Sequence, residues 1–91
     1  MAATMVLNNS YDIKKGSNFY VERSAYTIER VLSKGDFFMV LKLVGLRGGV
    51  RWIGFKVDGT FYFKDSVGRL LRSGRTKDIF ESDAQLSDMN Q

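Results

Sequence analysis

Two glycine-bearing turn signals constrain this chain more than any other feature. In LRGGVRWIGFKVDGTFYF, residues 46–63, Gly48-Gly49 and Asp58-Gly59 each stand between apolar runs. Glycine accepts the positive φ that tight hairpin loops demand, and Asp-Gly between alternating apolar residues is a type I′ hairpin signal. The flanking segments FFMVLKLVG (37–45), VRWIGFKV (50–57) and TFYF (60–63) therefore read as three strands of an antiparallel meander.

Upstream, Phe19, Val21 and Arg23 alternate with Tyr20, Glu22 and Ser24, and Tyr26, Ile28 and Arg30 alternate with Thr27, Glu29 and Val31. Alternation of this kind predicts one long bent strand or two short ones. Val21, Ala25, Ile28 and Leu32 also recur at helical spacing, but the Tyr, Thr, Ile and Val content favours strand. Downstream, DSVGRLLRSG (65–74) places Val67, Leu70 and Leu71 on one helical face, with Asp65 or Ser66 as N-cap and Gly74 as a stop. Gly68 weakens such a helix by about 1 kcal/mol relative to alanine, so a bent strand is the alternative.

With 91 residues, 44% of them hydrophobic and 26% charged, the chain suits one globular core and no second one. The expected organisation is a flexible N-terminal arm over residues 1–10, one β-rich domain over 11–81, and an acidic tail over 82–91 that is a short helix or disordered. The expected architecture is mainly β: a small antiparallel barrel or curled sheet of four to six strands with one short C-terminal helix. It is SH3-like or OB-like in size, a comparison that implies no function.

The residue inventory narrows the chemistry. The chain has no histidine and no cysteine, so the usual general base, thiolate nucleophiles and the commonest ligands for zinc are missing. No glycine pattern fits a P-loop or a dinucleotide fingerprint. Asp12, Glu22, Glu29 and Asp36 have no spacing that singles out an acid/base pair. Asp78, Glu81 and Asp83 lack the calcium-loop pattern, and Ser10, Ser17 and Ser73 have no base to activate them. A non-enzymatic protein without metal or cofactor is expected. The N-terminus lacks a basic flank, and FFMVLKLVGL is interrupted by Lys42, so neither a secretory signal nor a membrane span is read and an intracellular location is expected.

Charge supplies the positive signal. The formal net charge is +4, and Arg47, Arg51, Lys56, Lys64, Arg69, Arg72, Arg75 and Lys77 face only Asp58 and Asp65 within their stretch. After Lys77 the sign reverses, with Asp78, Glu81, Asp83 and Asp88. The asymmetry suggests a basic working surface beside an acidic tail, with ordinary solvated surface charge as the alternative.

Hairpin register then assigns the faces, because side chains alternate with period two. Two-residue loops at Gly48-Gly49 and Asp58-Gly59 pair Arg47 with Val50 and Val57 with Thr60. Met39, Leu41, Leu43, Trp52, Lys56, Phe61 and Phe63 then share the core face. Phe38, Val40, Lys42, Val44, Arg51, Ile53, Phe55, Tyr62 and Lys64 share the other. On that second face Lys42, Phe55 and Tyr62 lie abreast, with Arg51 and Lys64 near the ends. Rings flanked by cations can stack bases and neutralise phosphates. The competing explanation is that Val40, Val44, Ile53 and Phe55 are simply packed, since apolar strand residues are usually core.

The predicted function is a nucleic-acid-binding module, backbone-directed or single-stranded, for DNA or RNA. Its candidate contacts are Lys42, Arg47, Arg51, Phe55, Tyr62, Lys64, Arg69, Arg72, Arg75 and Lys77. The alternative is a protein-binding adaptor or inhibitor, such as a small phage or bacterial regulatory protein, docking its arginines on an acidic partner. The chain has no proline to blunt an edge strand, which favours edge pairing or a homodimer.

Overall fold

The computed structural model describes residues 13–80. The expected arm at 1–10 and tail at 82–91 fall outside the described residues. Six strands follow in order: β1 (Asn18–Val21), β2 (Ser24–Lys34), β3 (Phe37–Gly45), β4 (Val50–Lys56), β5 (Thr60–Asp65) and β6 (Leu70–Arg75). One short helix, α1 (Thr76–Phe80), ends the described chain. Every strand pairs antiparallel with its neighbour in sequence, giving the spatial order β1-β2-β3-β4-β5-β6. The expected mainly-β architecture holds, as a sheet curled into a half-barrel. Among the described residues no helix is long and apolar enough to cross a membrane.

Four register shifts, at Ile28/Arg30, Leu32/Lys34, Phe37/Met39 and Phe63/Lys64, curl the sheet. Each bulge bends its strand and raises the local twist. The inner face buries Phe19, Val21, Ile28, Leu41, Leu43, Ile53, Phe55, Phe61 and Phe63. Helix α1 adds buried Ile79, and the Phe80 ring meets Phe19 at 5.8 Å and Phe55 at 5.4 Å between centroids. Burying each such side chain contributes about 1.5–3 kcal/mol, so this cluster carries the fold.

The upstream segment forms two strands. Residues 22 and 23 close the β1–β2 hairpin, with Val21 opposite Ser24 and φ of 52° at Glu22 and 70° at Arg23. Both torsions are left-handed values that glycine adopts at no steric cost. Arg23→Gly is therefore expected to exceed Arg23→Ala, which loses the same side chain but keeps the left-handed torsion on a β-carbon, by about 0.5–1 kcal/mol in unfolding free energy, read from the urea midpoints. Glu22 is best kept, because its carboxylate pairs with Arg72 of β6 and links the two edges of the open sheet.

Two sequence expectations are corrected here. Residues 65–74 do not form a helix. Ser66, Val67 and Gly68 make a loop with Gly68 at φ 91°, and Leu70–Arg75 joins β5 as an edge strand. Val67, Leu70 and Leu71 are exposed, so the apolar face that a helix there would have buried does not exist.

The second correction concerns the hairpin loops, which have three residues rather than two. The Gly48 N–H donates to the Gly45 carbonyl at 2.9 Å, and the Gly45 N–H to the Gly49 carbonyl at 2.8 Å, closing a loop of Leu46, Arg47 and Gly48. The Gly59 N–H likewise donates to the Lys56 carbonyl at 3.1 Å, closing Val57, Asp58 and Gly59. In each case the glycine is the last loop residue, with φ of 85° and 89°, the pattern of a type I turn followed by a left-handed residue. Leu43 consequently faces Arg51, and Phe55 faces Phe61. Both shifts are odd, so β4 turns over relative to its two neighbours while β3 and β5 keep their expected faces. Ile53 and Phe55 enter the core. Trp52, Gly54 and Lys56 leave it.

Candidate functional site

The reversal of β4 builds a site on the outer face. Trp52, Gly54 and Lys56 join Lys42 of β3 and Tyr62 and Lys64 of β5 there. Phe37, at the start of β3, lays its ring across Gly54, where a β-carbon would stand only 2.6 Å from the ring. Glycine at this position is thus what lets the ring lie flat on the backbone. The Phe37 ring meets Tyr62 edge-on, with centroids 5.8 Å apart and planes at 90°.

Phe37, Trp52, Gly54, Tyr62 and Lys64, with Val40 of β3 and Arg30, Leu32 and Lys34 of β2, line a groove of about 430 Å³, while Lys42 and Lys56 reach its rings from outside that lining. Its far lip is the β5–β6 loop, Ser66, Val67 and Gly68. Asp65 pins that lip: its carboxylate accepts the Arg69 N–H at 2.8 Å and the Val67 N–H at 3.1 Å, which hold its carboxyl below the usual carboxylate value. Among the described residues no carboxylate lines the groove.

Cations sit directly over the rings. Lys56 Nζ lies 5.0 Å from the Tyr62 centroid and 5.4 Å from that of Phe37. Lys64 Nζ lies 5.9 Å from Phe37, and Lys42 Nζ lies 5.7 Å from Trp52. Lys42 also pairs with Glu29 at 3.3 Å. Among the described residues, Arg30, Lys34, Lys56 and Lys64 form no ion pair. Cations grouped around half-buried rings are an arrangement that can attract a flat, anionic ligand.

In comparisons with known proteins, no family, no curated protein and no solved structure matches this chain. The functional reading therefore rests on the site itself.

The groove gathers only some of the residues singled out in the sequence. Lys42, Tyr62 and Lys64 stand together on the outer face. Phe55 does not join them: its side chain is fully buried against Phe19 and Phe80. Arg51 alternates with Ile53 on the inner-face side of β4, and its Nη1 donates to the Val50 carbonyl at 2.8 Å. Arg47 is exposed in the β3–β4 loop, and Lys77 is exposed on α1.

The predicted arginine row dissolves. Arg69 pairs with Asp65 at 3.2 Å, Arg72 pairs with Glu22, and Arg75 pairs with Asp78 at 3.2 Å. A spacing of three lines up on a helix but alternates across a strand, and these residues lie on a turn and on β6. Sequence reasoning missed Arg30, Lys34, Phe37, Trp52 and Lys56. The signal for the last two was present in the turn: a glycine that closes a three-residue loop sets β4 the other way up.

Proposed function

We propose that this protein binds single-stranded nucleic acid on the outer face of its sheet. Bases stack against Trp52, Phe37 and Tyr62, while Arg30, Lys34, Lys56 and Lys64 neutralise phosphates. The observation that carries this reading is the placement of lysine ammoniums over three rings that line one open groove, with no carboxylate among its described lining residues. Stacking needs an unpaired base, because bases in a duplex present only their edges to the grooves. The described lining offers rings and cations but neither Asn nor Gln for reading base edges, so sequence-tolerant binding is expected.

Titration of fluorescein-labelled oligo(dT) and oligo(U) at a series of salt concentrations tests this reading. Four phosphate contacts predict that the logarithm of the binding constant falls with the logarithm of salt at a slope of about −3. Duplex of the same length is expected to bind more weakly. Failure of both single strands to bind at low salt overturns the reading. A protein partner on the exposed, proline-free β6 edge then becomes the better supported use.

A further inference from the structure

The groove does not end at β2. Strand β1 pairs with β2 only as far as Thr27, while β2 runs on to Lys34. Its outer edge past Ile28 is therefore uncovered by β1, and a second hollow of about 440 Å³ lies along it. Arg30 and Leu32 line both hollows, so the two meet across this one strand.

The far wall of the second hollow carries Lys14 and Lys15. Their turn is held in place against β2. The Ser17 N–H donates to the Lys14 carbonyl at 3.0 Å, the Gly16 N–H to the Ile28 carbonyl at 2.7 Å, and the Ile28 N–H to the Ser17 carbonyl at 2.9 Å. Glu29, the one carboxylate among the described lining residues, is paired with Lys42 of the first face at 3.3 Å. Among the described residues its lining contains no aromatic ring. Such a surface, with Lys14, Lys15 and Arg30 around it, can hold a sugar-phosphate backbone.

We infer that the bound strand runs across the sheet from β5 to β2 and that its backbone is held a second time by Lys14, Lys15 and Arg30. This inference rests on the single-strand reading above and adds a path and a length to it. Crossing from β5 to β2 covers three strand spacings, about 14 Å, and the second hollow extends the track beyond β2. Together these give a footprint of about four to six nucleotides, within the range of small single-strand binders.

The experiment compares oligo(dT) of three and of ten nucleotides, binding to the full chain and to a Lys14→Ala/Lys15→Ala variant. The native chain is expected to prefer the longer strand. The variant is expected to lose about five- to ten-fold in affinity for ten nucleotides at low salt and none for three, with its salt slope shallower by about 1.4. If the native chain binds both lengths alike, or if the variant binds ten nucleotides as the native chain does, the second site is overturned while the groove stands. Binding of neither length overturns the groove and the extension together.

Discussion

Trp52→Ala is expected to lower affinity for single-stranded oligonucleotide by about 1–3 kcal/mol, roughly five- to 150-fold, while the chain stays folded. Trp52 stands opposite Lys42 and Lys64 in the sheet, with the Lys42 ammonium over its ring, and its side chain is only half-buried. Truncation removes a stacking surface at the centre of the groove and takes little from the inner core. Trp52 is the one tryptophan, so binding is best followed by anisotropy of a labelled oligonucleotide rather than by intrinsic emission. Trp52→Phe keeps an aromatic face and should recover much of the loss. Unchanged affinity in the alanine variant would remove Trp52 from the site.

Phe55→Ala, three residues along the same strand, is expected to act in the opposite way. Its ring is fully buried, with Phe19 at 6.4 Å and Phe80 at 5.4 Å between centroids. Emptying such a position costs about 3–5 kcal/mol, out of a total of about 5–15 kcal/mol for a domain. The urea midpoint should fall steeply, and near-ultraviolet circular dichroism should show lost packing. Affinity calculated per folded molecule should change little. If Phe55→Ala instead weakened binding at unchanged stability, β4 would face the other way and the groove described here would not exist.

The contrast between these two residues shows how far the sequence could be followed. Alternating apolar residues and glycine turns were enough to place β3, β4 and β5 and to make them neighbours. They also identified Leu41, Leu43, Phe61 and Phe63 as core, and Lys42, Tyr62 and Lys64 as outward. Those assignments survived because the two register errors are odd and cancel between β3 and β5. The strand between them received the full error, and with it Trp52 and Phe55 exchanged roles. Phe37 was out of reach for another reason: its place over Gly54 depends on the bulge between Phe37 and Met39.

What the sequence determined by itself is local: which segments extend, where the chain reverses, and that its positive charge exceeds its negative. Which way β4 faces was decided only by the tertiary structure. Glycine at position 59 suits either a two-residue or a three-residue loop. Burying Ile53 and Phe55 with Phe19, Ile79 and Phe80 contributes about 1.5–3 kcal/mol for each large side chain. The opposite register would have buried the Lys56 ammonium. Long-range pairing settled the arginines in the same way. Arg72 finds Glu22, fifty residues away in sequence, because the curled sheet brings its two edges together. Burial and charge pairing across the whole sheet outweigh the small preferences of a turn, and they place the rings and lysines on one face.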